Sequence, residues 1–111
     1  MKPYVPLVAA VIFAATTQPS LADRIDGDWC APGGGSISVD GPNVVTPGGR
    51  KIIANYNRHH VDFEIPKGEP DAGGRFSADQ LNDEEISVSI VAAGDAGAGK
   101  AVIWRPCKPI S

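Results

Sequence analysis

The stretch HHVDFEI, residues 59 to 65, decides the fold class because its side chains alternate between apolar and polar. Three apolar side chains lie on one side of an extended chain: Val61, Phe63 and Ile65. Three polar side chains, named the polar row below, lie on the other side: His60, Asp62 and Glu64. A period of two predicts a β-strand with one face in the core and one face in water.

The same alternation recurs between breaks that contain Pro and Gly, and it predicts about seven short strands. They are expected at residues 36–40, 44–46, 51–56, 59–65, 75–80, 86–91 and 100–105. Two of them have clear inward faces, formed by Ile52, Ala54 and Tyr56 and by Ile86, Val88 and Ile90. No ten-residue segment after residue 22 has helical periodicity. We therefore expect an all-β fold, a small antiparallel meander that closes into a barrel or packs as a sandwich.

Residues 1–22 have the pattern of a secretory signal peptide. Lys2 supplies a positive start, residues 5–15 are largely apolar, and Ala22 ends a small-residue cleavage site. Polar residues in the last third of this segment leave too short an apolar stretch to cross a membrane. A lipid-anchored form needs a cysteine at the cut, where Asp23 stands. Cleavage after Ala22 would leave one domain, residues 23–111, in the periplasm or outside the cell.

The charge of that domain excludes several partners. Nine cationic and thirteen acidic side chains remain after residue 22, which is a formal charge of −4. Nucleic acid and anionic lipid both require a cationic surface. We expect a monomer with no cofactor and no membrane span after cleavage.

Cys30 and Cys107 are the only cysteines, and each follows closely on a tryptophan, Trp29 or Trp104. A redox site requires the C-x-x-C spacing and a zinc site requires four ligands, and neither pattern occurs. In an oxidising compartment the pair predicts a disulfide that ties the two ends of the domain together. The two indole rings are expected in the core near that bond.

Two glycine- and aspartate-containing segments resemble ligand loops but lack the required residues. Residues 94–101, GDAGAGKA, have Ala101 where a phosphate loop needs a hydroxyl, and no helix can follow. They are expected to form a hairpin loop. Asp23, Asp26 and Asp28 lack the spacing of a calcium loop and are expected in a solvated N-terminal segment.

The predicted contact surface combines the polar row with the loop Pro66–Gly74, because loops on rigid sheets carry much of recognition. Side chains two apart on a strand are about 6.6 Å apart, which is wide for a shared metal ion. We therefore expect no metal site and no catalytic residue in the polar row. His59 lies in phase with the apolar side, so a buried or half-buried imidazole is expected.

Four stretches together resemble a group of short, uncharacterised exported bacterial proteins. They are DGDWC at 26–30, VDGPNVVTPGG at 39–49, NYNRHHVDFEIPKGEP at 55–70 and IWRPC at 103–107. The resemblance implies no particular activity. It implies one shared scaffold that includes Trp29, Cys30, Tyr56, Arg58, His59, Trp104 and Cys107.

Gly27-Asp28-Trp29 is similar to the G-x-W that opens the first strand of calycin barrels, a group that includes lipocalins and exported metalloprotease inhibitors. This resemblance implies that Arg105 packs on Trp29 through a cation–π contact. It also implies either a ligand cavity or an inhibitory segment at residues 23–28. From the residues alone we expect a non-enzymatic binding or envelope-associated module whose partner is a protein or a small molecule. The alternatives are a calycin-like protease inhibitor and a small-ligand binder.

Overall fold

The computed structural model describes residues 24–95, 97 and 99–108, and it contains nine β-strands in that part of the chain. The predicted leader and Asp23 lie outside the described residues. The strands are β1 Gly27–Cys30, β2 Ser36–Asp40, β3 Asn43–Val45, β4 Lys51–Ile53, β5 Asn55–Asn57, β6 His60–Glu64, β7 Arg75–Asn82, β8 Glu85–Val91 and β9 Ala101–Pro106.

The strands form one antiparallel sheet in the order β4-β3-β2-β1-β9-β8-β7-β6-β5. Every strand lies beside its neighbours in sequence, except that β4 and β5 lie at the two ends of the sheet, and the first strand pairs with the last. The sheet is therefore nearly closed into a barrel. The predicted all-β antiparallel fold is confirmed, but the strand count of about seven was low.

The difference in strand count has two sources. β1 is a separate strand, and the segment predicted at 51–56 is divided by Ala54 into β4 and β5. β4 pairs with β3, whereas β5 pairs with β6 on the other side. The chain from Lys51 to Asn57 thus passes from one edge of the sheet to the other, and the barrel wall is split along it.

Most of the predicted inward side chains form the core. The buried apolar residues are Ile25, Trp29, Ile37, Val39, Val44, Ala54, Val61, Phe63, Ile65, Phe76, Ala78, Ile86, Val88 and Trp104. Ile52 and Tyr56 are partly buried against them. Ile90 lies on the inward side as predicted, beside Phe63 and Phe76, but it is 38% exposed because it lies near the end of β8.

Aromatic side chains fill the barrel. Phe63 stacks on Phe76 with ring centroids 4.8 Å apart, and Phe76 meets the edge of Trp104 at 5.6 Å. The indole Nε1–H of Trp29 donates a hydrogen bond to the Ile25 carbonyl at 2.8 Å. Both tryptophans lie in the core, as predicted.

The predicted disulfide joins Cys30 to Cys107, with Cα atoms 4.8 Å apart. It lies beside the short pairing of β1 with β9, which has two residue pairs in register, Trp29 with Pro106 and Cys30 with Arg105. The amide of Cys107 extends this pairing by donating to the Asp28 carbonyl at 3.0 Å, so Pro106 needs no N–H toward β1. The disulfide reinforces the part of the sheet where the ladder is shortest.

The connections between strands divide between two ends of the barrel. One end, named the loop end, carries residues 31–35, 46–50 and 65–74 and the β8–β9 connection, which is the hairpin expected at 94–101. The opposite end carries the tight turns at 41–42, 58–59 and 83–84. Within the described residues, no helix is long and apolar enough to cross a membrane.

Candidate functional site

The loop Pro66–Gly74 is folded on itself by backbone hydrogen bonds. The amide of Glu69 donates to the Pro66 carbonyl at 3.3 Å, and the amide of Gly74 donates to the Asp71 carbonyl at 2.8 Å. At its base, Ile65 and Gly74 continue the β6–β7 ladder through an N–H···O bond of 2.9 Å. The loop predicted as a contact surface therefore has a defined shape.

The Glu69 carboxylate anchors this loop to the neighbouring loop 46–50. It accepts hydrogen bonds from Thr46 Oγ1 at 2.6 Å, from the Gly48 amide at 3.1 Å and from Arg50 at 3.1 Å. The Glu69 side chain is only 3% exposed. Burial by itself raises the pKa of Glu69, but these hydrogen bonds outweigh it and lower the net pKa below the ordinary value. We call these four residues the Glu69 latch.

Two glycines make room for the latch. A Cβ atom on Gly48 would lie 2.5 Å from the carboxyl carbon of Glu69. Gly68 has a φ of +89°, and a Cβ atom there would lie 2.6 Å from an Arg50 guanidinium nitrogen. Close approach of the two loops thus requires glycine at both positions.

A groove of about 530 Å³, named the open groove, lies where the barrel wall is split. It is lined by Ile52, Glu64, Ile65, Pro66 and Lys67, together with residues 72–73. One wall is therefore β4, and the other is the end of β6 with the latched loop. This is the half of the split at which β4 has no neighbouring strand in the described part of the chain.

The hydrogen-bond phase of β4 determines which peptide groups face this groove. Thr46 N–H donates to the Arg50 carbonyl at 2.8 Å, and Ala54 N–H donates to the Pro42 carbonyl at 2.8 Å. Since peptide groups alternate in direction along a strand, those of Ile52 also face β3. The N–H and C=O groups of Lys51 and Ile53 therefore point to the open side.

A second groove of about 530 Å³ covers the outer face of the same edge. It is lined mainly by side chains of β2, β3 and β4, among them Val45, Lys51 and Ile53. Ile53 is 75% exposed, although it is a large apolar residue in a strand. The β4 edge thus has an apolar recess on each face.

The other half of the split is covered by the N-terminal segment. Ile25 is fully buried, and its amide donates to the Arg58 carbonyl at 2.7 Å. The Asp26 carboxylate accepts hydrogen bonds from the Gly41 amide at 2.8 Å and from the Tyr56 hydroxyl. Burial and then this bond to Asp26 raise the pKa of Tyr56. The prediction of a solvated N-terminal segment was wrong for residues 25–26, because Asp26 joins the β2–β3 turn to β5.

The polar row lies on the outer face of β6, as predicted. His60 is bound on both ring nitrogens, to Asp79 at 2.6 Å and to Asp62 at 2.8 Å. Asp62 also accepts hydrogen bonds from Asn55 and Arg75. Burial by itself lowers the pKa of His60, but its bonds to Asp79 and Asp62 outweigh this effect and raise the pKa. For Asp62, burial raises the pKa and the bonds from Asn55, His60 and Arg75 lower it overall.

Glu64 and His59 do not join this cluster. Glu64 is exposed and lines the open groove. His59 is exposed in the β5–β6 turn, where its Nδ1 lies 3.0 Å from Gln80 Oε1. The predicted burial of His59 was wrong because the strand begins at His60 and the turn directs His59 to solvent. In the described residues, no group of three or more His, Cys, Asp or Glu side chains could hold a metal ion.

A smaller pocket of about 190 Å³, named the mouth pocket, opens at the loop end. Phe63, Phe76 and Trp104 line it, together with Ile65 and Ile90. Its volume is below the roughly 300 Å³ typical of the smaller ligand pockets. It exceeds the approximately 150 Å³ of an apolar cavity known to bind benzene.

Arg105 lies on the outer surface and binds Glu85 at 2.8 Å. It follows the inward-facing Trp104, so its side chain lies on the opposite face of the sheet from the core. The cation–π contact between Arg105 and Trp29 that the calycin resemblance implied is therefore replaced by an ion pair.

No family of proteins matches this chain, and comparisons with curated proteins and with solved structures found no match. The two resemblances described above stay predictions.

The sequence did not identify Glu69 or Asp26 as buried partners. Each carboxylate accepts hydrogen bonds from residues 15 to 30 positions away in sequence. The one local signal is the pair of glycines at 48 and 49, which permits a close approach without indicating what approaches.

Proposed function

We propose that this protein is an exported, non-enzymatic binding module that contacts another protein through the latched loop Pro66–Gly74 and the adjoining open groove. The observation that carries this proposal is the Glu69 latch. A buried carboxylate with three donors holds the loop in one shape, and a fixed loop loses little conformational entropy on binding. The polar row borders this surface through Glu64.

The polar row supports binding rather than catalysis. His60, Asp62, Asp79 and Arg75 satisfy one another on an outer sheet face. Catalytic groups usually converge on a pocket that excludes water. This cluster instead stabilises the strands that carry the loop.

Export is supported by the disulfide and by the leader pattern of residues 1–22. A disulfide persists in an oxidising compartment and is reduced in the cytosol. Cell fractionation tests this part of the proposal, since it should place the protein outside the cytosol with Asp23 as its first residue. Free thiols in material from its native compartment would contradict it.

Site-specific photocrosslinking in producing cells tests the contact surface. A photoreactive phenylalanine at Lys67, in the loop, should give one discrete adduct whose partner is identified by mass spectrometry. The same group at Ser87, on the outer face of β8, is the matched control and should give none. Replacing residues 66–74 with a glycine-serine linker should then weaken binding of the purified partner at least about tenfold. Equal adducts at both positions, or none, would overturn the proposal.

The mouth pocket favours a second candidate, a binder of small apolar molecules. Three aromatic rings line a space of about 190 Å³, which suits a ligand the size of one ring. Fluorobenzene titration followed by ¹⁹F NMR tests this candidate. Ile90→Trp should fill the pocket and abolish binding, whereas Leu81→Trp, on exposed surface away from the pocket, should not. Equal binding by both variants would rule out the pocket.

The protease-inhibitor alternative gains no support from the N-terminal segment. Ile25 and Asp26 are built into the barrel wall, so inserting them into a protease cleft would require breaking the bonds to Arg58, Gly41 and Tyr56.

A further inference from the structure

We propose that the open edge of β4 binds an extended, carboxylate-bearing segment of a partner protein by adding it as a strand. This inference rests on the proposed function and names the chemistry of the partner. Three features of the β4 edge carry it: its outward peptide groups, the recesses on both of its faces, and the cations beside it.

The peptide groups of Lys51 and Ile53 provide the backbone recognition. They point away from β3, and β4 ends the sheet on that side in the described part of the chain. An antiparallel or parallel strand placed there would pair with these N–H and C=O groups. The peptide groups of Ile65 face β7, because they are bonded to residues 73 and 74 of the loop. Since peptide groups alternate in direction along a strand, those of Glu64 face the same opening as β4.

The two recesses fit the alternating side chains of such a strand. Every second side chain would enter the open groove beside Ile52 and Ile65, which form an apolar floor. The side chains between them would lie on the outer face beside Ile53 and Val45. An added strand would cover Ile53, which is 75% exposed in the barrel alone. β-Branched residues suit both recesses.

The charges bordering the edge favour an acidic segment. Lys51 and Lys67 are exposed, and among the described residues neither is held in a salt bridge. Among the described residues, Glu64 is the one carboxylate that lines the open groove. Arg75 lies across from it in the β6–β7 register but binds Asp62. The Glu69 carboxylate is buried and bound by Arg50. Asp40 lines the outer recess, but it belongs to β2 and β3 separates it from β4. The exposed charged side chains that line the recesses beside the open edge itself are two lysines and one glutamate, although the domain as a whole is acidic.

A second copy of this chain fits the edge less well. Pairing β4 with its own copy would join two strands of three residues and bring Lys51 of each copy to the same edge. Stable dimer interfaces bury about 1,200–2,000 Å² in total, which a three-residue ladder does not approach. A foreign segment can extend past β4 along the loop Pro66–Gly74.

NMR titration of the ¹⁵N-labelled mature protein tests the proposal with two synthetic peptides. The first is acetyl-Glu-Val-Thr-Val-Glu-amide, and the matched control replaces both glutamates with lysine. The glutamate peptide should shift the amide signals of Lys51, Ile53 and Glu64 and slow hydrogen exchange at Lys51 and Ile53. The lysine peptide should bind at least about tenfold more weakly, because like charges oppose it.

Two sets of variants identify the edge. Ile53→Pro removes an outward N–H without touching the bonds to β3, and it should weaken binding about tenfold, whereas Ile53→Val should bind as the native protein does. The double variant Lys51→Glu with Lys67→Glu leaves the backbone unchanged and should reverse the preference to the lysine peptide. The ¹H–¹⁵N spectrum of each variant verifies its fold.

Each contrary result overturns the proposal in a recognisable way. Equal binding of both peptides, or an unchanged preference in the charge-reversed variant, would show that the edge does not select an acidic partner. Undiminished binding by a folded Ile53→Pro variant would show that the peptide does not bind by strand addition. Shifts at Lys51 and Ile53 that depend on protein concentration without peptide would assign the edge to self-association. If crosslinks at Lys67 persist while both peptides fail to bind, the proposed function stands and strand addition fails.

Discussion

At the scale of single residues, Glu69 is a carboxylate withdrawn from water and kept ionised by the residues around it. Thr46, Gly48 and Arg50 donate to its two oxygens. A glutamine in its place would direct an N–H toward another donor in either orientation of the amide. The charge at this position is therefore part of the structure of the loop end.

We predict that Glu69→Gln lowers the free energy of unfolding by about 1.5–3 kcal/mol at pH 7, the range for hydrogen bonds to charged groups. Because the pKa of Glu69 is lowered on folding, its stabilising effect is present above the ordinary value of 4.5 and is lost as pH falls through the folded-state pKa. In urea denaturation, the difference in unfolding free energy between the native protein and the variant should narrow as pH falls below 4.5. Glu64→Gln, which changes an exposed glutamate, is the control and should stay within about 0.5 kcal/mol. A constant gap at all pH values would contradict the assignment.

His60 gives a second prediction at the residue scale. Its pKa should exceed the ordinary value of 6.5 in NMR titration of the imidazole, and Asp79→Asn should lower it. A raised pKa means that protonated His60 stabilises the fold below pH 6.5 and that this effect is lost as pH rises through the folded-state pKa. Asp95→Asn, in the loop end far from β6, should leave the titration unchanged. An unshifted midpoint in Asp79→Asn would show that the ion pair does not persist in solution.

At the scale of elements, the N-terminal segment 24–26 replaces a missing stretch of barrel wall. β5 has no neighbouring strand on one side in the described residues, and Asp26 spans that side by binding both Tyr56 and the turn at Gly41. In the described part of the chain, the half of the split that borders β4 has no such cover. The same break at Ala54 therefore produces one sealed gap and one open groove.

We predict that Asp26→Ala lowers the free energy of unfolding by about 1–3 kcal/mol, because two partly buried donors lose their acceptor. Asp28→Ala is the matched control from the same DGDWC motif. It removes one exposed hydrogen bond, from Ser38 at 2.7 Å, and should cost about 0.5 kcal/mol or less. If chemical denaturation gives the two variants equal losses of unfolding free energy, the N-terminal segment does not seal the barrel wall.

At the scale of the whole molecule, the disulfide closes the fold where the strand pairing is shortest. It joins residues 77 positions apart and lies beside a pairing with only two residue pairs in register. A cross-link over so long a loop restricts the unfolded chain strongly. The ends of the domain are therefore held together covalently rather than by a long ladder.

We predict that replacing Cys30 and Cys107 together with serine lowers the free energy of unfolding by about 2–5 kcal/mol. Reduction of the native protein should lower the midpoint of urea unfolding about as much as the double substitution does. Both cysteines are replaced together so that no unpaired thiol is left to react. Native-like stability of the reduced protein would show that the β1–β9 pairing suffices without the bond.

The alternation of apolar and polar side chains made the strands and their buried faces largely predictable from the sequence. Residues 60–65 and 86–88 bury every second side chain as expected, because a strand with one wet face imposes a period of two. His59 departed from that period because it lies in a turn, where neighbouring strands no longer enforce the alternation. Ile90 keeps the inward phase and lines the mouth pocket, but it is 38% exposed there, near the end of β8.

The disulfide was predictable by elimination, since two cysteines permit a single pairing. The loop Pro66–Gly74 was predictable as a loop, but its anchoring by Glu69 was not. Thr46 and Arg50 reach Glu69 only because the β3–β4 and β6–β7 connections emerge at the same end of the barrel. The open groove was likewise hidden, because a break at Ala54 matters only when the strands on either side are known.

The sequence by itself determined the β class, the inward faces and the covalent closure, because each follows from residues a few positions apart or from a unique pair. The tertiary structure alone decided which carboxylates are buried, which half of the split is sealed and which edge stays open. Those outcomes depend on contacts between segments far apart in the chain. No local pattern encodes the distance between two loops, or whether a strand such as β4 has a neighbour on each side.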